Sequence, residues 1–191
     1  MEIKRDAYLE KLIRKRGNGL IKVITGIRRC GKSYLLDPMF KNYLLNDGIP
    51  ADHIIKIELD RITNRKFYKD AEAFDKYVHS FIKDNDQYYL LLDEIQLVED
   101  FELVLNGFLY EKNLDVYVTG SNSKFLSSDI ITEFRGRGDQ IHLSPFTFSE
   151  YYAACSGDKY DCWNEYLTFG GMPLILSMKS EEEKSRYLKD L

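Results

Sequence analysis

The stretch Leu20-Ile21-Lys22-Val23-Ile24-Thr25-Gly26-Ile27-Arg28-Arg29-Cys30-Gly31-Lys32-Ser33 carries the reading of this chain. Its first part is an apolar run of strand character, and Gly26 to Ser33 spell G-x-x-x-x-G-K-[ST], a phosphate loop of the Walker A type. Each position in such a loop answers a physical demand. Backbone N–H groups wrap the oxygens of a triphosphate, the lysine reaches the β- and γ-phosphates, and the Ser hydroxyl meets Mg²⁺. Gly26 and Gly31 let the backbone turn and approach phosphates with no Cβ in the way, and Lys32-Ser33 open a helix whose N-terminus attracts anions. The expected nucleotide-binding set is Gly26, Ile27, Arg28, Arg29, Cys30, Gly31, Lys32, Ser33 and Tyr34, with Ser33 also a metal ligand. Arg28 and Arg29 face either phosphates or solvent, and their spacing does not choose between the two.

Outward from the loop, strands and helices alternate. Apolar residues at 8, 9, 12 and 13 predict a helix over Asp6 to Arg16, ended by Gly17-Asn18-Gly19. Lys32 to Leu45 is expected to be the helix after the loop, with Pro38 inside it. An interior proline costs about 3 kcal/mol, which predicts a kink or a break there. His53 to Leu59 has strand character, and a helix is expected over Ala71 to Lys83. Tyr88 to Leu92 is a short, wholly apolar run that suits a strand buried on both faces of a parallel sheet. Phe101 to Tyr110 predicts a helix, and Val116 to Thr119 and Gln140 to Leu143 predict two further strands. This alternation predicts an α/β fold, a parallel sheet covered by helices on both faces. From Pro145 onward the pattern turns to helical stripes broken at Gly170-Gly171-Met172-Pro173. The expected organisation is a nucleotide-binding core over 1–146 and a helical lid, or the start of a C-terminal region, over 147–191.

The second motif is Tyr88-Tyr89-Leu90-Leu91-Leu92-Asp93-Glu94, of the Walker B type. It places two acids where a buried strand emerges at its carboxyl end, the edge on which ligands bind in open α/β sheets. Asp93 is the expected Mg²⁺ ligand, usually through water, and Glu94 is expected to orient or deprotonate the water that attacks the γ-phosphate. An isolated Asp-Glu after a strand is more often a solvated turn. Paired with a phosphate loop upstream, it points to chemistry. A phosphotransferase can dispense with a water-activating carboxylate, so Glu94 moves the reading from small-molecule kinase to ATPase. No Asn-Lys pair occurs in the chain, so the N-K-x-D guanine reader is missing, and ATP with Mg²⁺ is the expected cofactor set.

Composition sets the outer limits. A chain of 191 residues makes one ordinary domain, or one domain with a small appendage. With 44% hydrophobic and 30% charged residues it is globular, and the 14 tyrosines are read as half-buried amphipathic packing. A net charge of −4 argues against a nucleic-acid footprint over the whole surface. The local run Lys11-Leu12-Ile13-Arg14-Lys15-Arg16 is read as a solvated helix face. There is no apolar run for a membrane span, and the charged start is no signal peptide, so a cytoplasmic protein without a membrane partner is expected. Cys30, Cys155 and Cys162 are odd in number with no C-x-x-C pair, and the three histidines are far apart. Neither a disulfide framework nor a zinc site is expected.

Taken in order, G-I-R-R-C-G-K-S, L-L-L-D-E-I-Q, V-T-G-S-N-S, F-R-G-R and P-F-T-F-S-E-Y resemble the bacterial and archaeal AAA+ ATPases that carry a poorly characterised C-terminal domain. The resemblance covers about residues 6 to 180. Its narrower marks are Gly-Ile-Arg-Arg, Gln96 after Asp93-Glu94, and Gly-Gly-Met-Pro. It implies a P-loop NTPase of AAA+-like type with a five-stranded parallel sheet in the order 5-1-4-3-2, a polar sensor at the end of the fourth strand, and a helical lid. It also implies a chain that runs on past Leu191, with Arg186 a weak candidate for a lid arginine. The sensor is expected within Val118-Thr119-Gly120-Ser121-Asn122, at Ser121 first and Asn122 second, each of which is almost as well read as a turn capping the next helix. Arg135 and Arg137 lie where the family's arginines act on a neighbouring subunit's nucleotide, which implies a homo-oligomer; a structural salt bridge is the competing reading. The preferred function is Mg²⁺-dependent ATP hydrolysis driving a conformational change in an unknown protein or DNA target. The alternatives are a slow nucleotide-dependent switch and a DNA-associated ATPase.

Overall fold

Five strands form one sheet: β1 (Ile21–Thr25), β2 (Ile54–Glu58), β3 (Tyr88–Asp93), β4 (Leu114–Thr119) and β5 (Gly138–His142). The computed structural model describes residues 4–120 and 136–191. The strand order is β2-β3-β4-β1-β5 and every pairing is parallel, which is the expected 5-1-4-3-2 read from the opposite edge. Parallel neighbours need long crossovers, and the helical stretches between the strands supply them. Every residue of β1, β3 and β4 is buried, as strands covered on both faces must be. The register pairs Ile24 with Thr119 and Leu92 with Val118, so the last residue of β4 lies beside Asp93 at the carboxyl edge.

Alternation along the strands sends successive side chains to opposite faces. On one face, Val23, Leu90, Leu92, Val116 and Val118 pack with Phe74 and Val78 of α4 (Ala71–His79) and with Leu105 and Phe108 of α5 (Phe101–Phe108). On the other, Ile24, Tyr89, Leu91, Tyr117 and Ile141 meet Leu12 of α1 (Asp6–Arg14) and Leu35, Phe40 and Leu44 of the segment after the phosphate loop. That segment begins as α2 (Lys32–Tyr34) and ends as α3 (Lys41–Asn46). The expected break near Pro38 falls one residue earlier, at Asp37 (φ −142°, ψ 119°). Proline has no N–H with which to continue the helical ladder, so an unbroken helix through this point is not available.

A third apolar cluster gathers Phe146, Tyr151, Cys162, Phe169, Met172, Ile175 and Tyr187. It is built by α6 (Phe148–Ala154), α7 (Lys159–Phe169) and α8 (Glu181–Lys189). Thr147 with Glu150 and Ser180 with Glu183 form capping boxes that start α6 and α8. Arg5 ties this cluster to the start of the chain: its buried guanidinium pairs with Glu150 (3.0 Å) and donates to the Ser144 carbonyl (2.8 Å). Among the described residues no helix is long and apolar enough to cross a membrane.

One expectation is corrected. Cys155 and Cys162 form a disulfide, with Cα atoms 6.2 Å apart, where the sequence suggested none. Cys155 follows the end of α6, and the turn through Gly157 and the cap Asp158 folds the first turn of α7 back against it. The pairing comes from this reversal of the chain, which a sequence separation of 7 does not reveal. Cys30 is a free, buried thiol.

Candidate functional site

β1 delivers the phosphate loop to the carboxyl edge of the sheet. Gly26 has φ 146°, and a Cβ there would lie 2.3 Å from the Leu143 carbonyl oxygen, so glycine is required both by conformation and by space. Lys32 is buried, and its ammonium folds back over the loop to donate to the carbonyls of Gly26 and Ile27, both at 3.0 Å. Cys30 faces the core: its buried thiol contacts the Leu143 carbonyl at 3.5 Å, and burial pushes its pKa up. Ile27, Arg28 and Arg29 are exposed at the loop tip. The Arg29 guanidinium lies 5.4 Å from the centre of the Tyr187 ring on α8, so one loop arginine touches the C-terminal helices. Tyr34 is partly exposed on the first helical turn.

The two acids stand at the end of β3, beside this loop. Ser33 Oγ donates to Asp93 Oδ1 at 3.0 Å, joining positions 33 and 93 in space. The hydroxyl of Thr119, at the end of β4, donates to the same Oδ1 and accepts the backbone N–H of Glu94 at 3.1 Å. Burial pushes the Asp93 carboxyl pKa up; the bonds from Thr119 and Ser33 oppose this, and the nearby Glu94 and Asp60 add to it. Glu94 adopts left-handed backbone angles (φ 57°, ψ 48°) that turn the chain off the strand. Its carboxylate accepts a hydrogen bond from Gln96 Nε2.

These residues suit Mg²⁺ with a triphosphate. A Ser hydroxyl and a carboxylate are hard oxygen donors, of the kind that hold Mg²⁺ at one or two positions beside phosphate oxygens. A buried carboxylate whose charge is disfavoured gains from a cation. Gln96 was given no role from the sequence, and Thr119 lay inside the expected sensor stretch without being one of its two candidates. A polar residue ending a buried strand was the available sign for Thr119, but only the β3–β4 register brings it to Asp93. Ser121, Asn122 and Arg135 lie outside the described residues. Arg137 is not at this site: it precedes β5 at the opposite edge of the sheet, where its carbonyl accepts from Ile21 N–H (2.9 Å) and its guanidinium donates to Asn106 (3.1 Å).

A family model described as an AAA domain matches residues 18–152. The chain belongs to this family. An uncharacterised protein of Haemophilus influenzae is 32% identical over 99% of this chain and 48% of its own length. An uncharacterised protein of Methanocaldococcus jannaschii is 28% identical over 89% of this chain and 39% of its own. The chain therefore spans less than half the length of these curated relatives. Among solved structures, a Walker-type ATPase of Pyrococcus abyssi aligns with a TM-score of 0.64 at 18% identity, covering 99% of this chain and 71% of that one. The S. cerevisiae Hsp104–ADP complex gives 0.65 at 15% identity over 93% of this chain and 30% of that one. AMPPCP-bound DnaA from Aquifex aeolicus gives 0.51 at 15% identity over 99% and 61%. At such identities the likeness shows the fold, and the AAA domain described here has that fold with a loop, two acids and a bridging threonine at one edge.

Proposed function

We propose that this AAA domain binds ATP with Mg²⁺, hydrolyses it, and uses the cycle to move its C-terminal helices or a partner attached to them. The observation that carries the reading is the 3.0 Å contact between Ser33 Oγ and Asp93 Oδ1, which brings the hydroxyl of the phosphate loop to the strand-end carboxylate. Ser33 and Asp93 are the residues to hold Mg²⁺, which when bound neutralises charge on the phosphate oxygens. Loop N–H groups from Gly26 to Ser33 bind the phosphates. Lys32 exchanges two neutral carbonyl partners for phosphate oxygens, a stronger, charge-assisted contact. Glu94 orients a water and takes its proton as the water oxygen bonds to the γ-phosphorus and the bond to the β,γ-bridging oxygen breaks, leaving ADP and inorganic phosphate. The stacking of Arg29 on Tyr187 supports a conformational output, because a group at the loop tip already rests on a C-terminal helix.

Turnover and nucleotide binding by the wild type, Lys32→Ala and Glu94→Gln with Mg²⁺ test this. Lys32→Ala is expected to lose binding or turnover. Glu94→Gln is expected to bind ATP while hydrolysis falls about 10²- to 10⁴-fold, the usual contribution of a general base. Undiminished hydrolysis in both variants would sink the assignment. Stoichiometric ADP retained through purification, with negligible turnover, would favour the slow switch.

A further inference from the structure

We infer that Gln96 is a positioning residue for Glu94, fixing where the Glu94 carboxylate stands to receive the proton of the attacking water. The inference rests on the reading of Glu94 as general base. Glu94 occupies left-handed backbone angles (φ 57°, ψ 48°), a conformation that is costly for a non-glycine residue and persists only where its surroundings impose it. Thr119 fixes the backbone of Glu94 through the N–H bond at 3.1 Å. Gln96 acts on the side chain, through the bond from Nε2 to Oε2.

The turn that carries Gln96 is firmly seated. Residues Ile95–Leu97 form a single helical turn, closed by Leu97 N–H to the Glu94 carbonyl (3.1 Å) and Val98 N–H to the Ile95 carbonyl (3.0 Å). Ile95 and Val98 are buried in the core. Gln96 thus projects from an anchored turn, and its donor end reaches back to the carboxylate two residues earlier. A neutral donor on an ionised acceptor is roughly twice as strong as a neutral pair, and it narrows the rotamers open to the side chain that accepts it.

The other end of the amide shows what this arrangement gives up. Gln96 Oε1 is buried with no hydrogen-bond partner. Leaving such an acceptor unpaired forfeits its solvation with no bond in return, so a glutamine serving only to close the turn would leave this orientation for one that satisfies both ends. The reverse orientation would set Oε1 against Glu94 Oε2, two acceptors face to face. The amide is therefore oriented by the carboxylate, at the expense of its own carbonyl.

Two substitutions remove the donor while keeping the shape: Gln96→Met, of similar length, and Gln96→Glu, which puts an acceptor where the donor stood. Each is expected to lower kcat about 10- to 100-fold, the scale of a catalytic group misplaced by around an ångström, with ATP affinity within about twofold of wild type. Single-turnover hydrolysis in the Glu94→Gln background supplies the readout that a merely structural role would not reproduce. Gln96→Met is expected to cause no further loss there, because Gln96 acts only through the carboxylate already removed. Wild-type kcat in both single variants, or a further full loss in the Glu94→Gln background, overturns the inference while leaving Glu94 as the base. Undiminished turnover in Glu94→Gln alone, or no turnover by the wild type, overturns the reading of Glu94 and the inference with it.

Discussion

Thr119 concentrates two assignments on one hydroxyl. It donates to Asp93 Oδ1, accepts the Glu94 N–H, and is fully buried. Thr119→Val keeps the shape and removes both bonds, taking an acceptor from the Glu94 N–H and a donor from the buried Asp93 carboxylate. The unfolding free energy is expected to fall by about 1–3 kcal/mol, measured by urea denaturation; an unchanged midpoint would show that the hydroxyl carries no structural load. Gly26, Gly31, Lys32, Ser33, Asp93 and Glu94 entered the candidate site from the sequence because a phosphate-loop motif and a strand-end acid pair are read locally, residue by residue. Thr119 did not, because its partner lies on another strand and only the register pairs them. The exposure of Arg28 and Arg29, and the stacking of Arg29 on Tyr187, were equally invisible, since they depend on where α8 comes to rest.

Elements show the same division. The predicted stretches marked all five strands, yet β4 and β5 each begin two residues before the predicted start, and in β4 the added residues include the buried Asp115. Its carboxylate pairs with Lys22 of β1, a buried ion pair that the sequence does not reveal because its two members are 93 positions apart. Asp37, at the break before Pro38, meets Lys56 of β2, which also pairs with Glu58 at 2.8 Å. In the C-terminal helices, Lys184 of α8 pairs with Glu165 of α7. Burial alone would raise the Glu165 pKa, but the Lys184 ammonium outweighs it and holds the carboxylate below its ordinary value. A depressed carboxylate stabilises the fold above its unfolded pKa, and that stability is lost as pH falls through the lower folded value. Lys184→Met is therefore expected to cost up to about 1 kcal/mol at pH 7 and progressively less below about pH 4. Parallel thermal melts at the two pH values check this, and an equal loss at both would remove the ion pair from the account.

Across the whole molecule, Arg137 poses a question of distance. It stands at the amino edge of the sheet, whereas the phosphate loop leaves β1 at the carboxyl edge. Five strand residues separate those edges by about 15 Å, more than an arginine spans, so Arg137 acts on a nucleotide only if that nucleotide belongs to a neighbouring copy. Wild-type turnover per mole is then expected to rise with protein concentration, and Arg137→Ala to stay at the low-concentration level. An arginine finger is worth about 10³- to 10⁵-fold, so the two curves should separate widely; curves that coincide would leave Arg137 to its contact with Asn106. The sequence by itself determined the phosphate loop, the paired acids, the alternation of strands and helices, and through resemblance the strand order, because these follow from local conformational demands and hydrophobic period. Only the tertiary structure decided which hydroxyl bridges Asp93 and Glu94, that Gln96 holds the Glu94 carboxylate, that Cys155 meets Cys162, and that Arg29 rests on the C-terminal helices. The contacts of Thr119, Arg29 and the two cysteines depend on strand register and helix packing, and that of Gln96 on a turn held by the core, none of which is set until the layers close on one another.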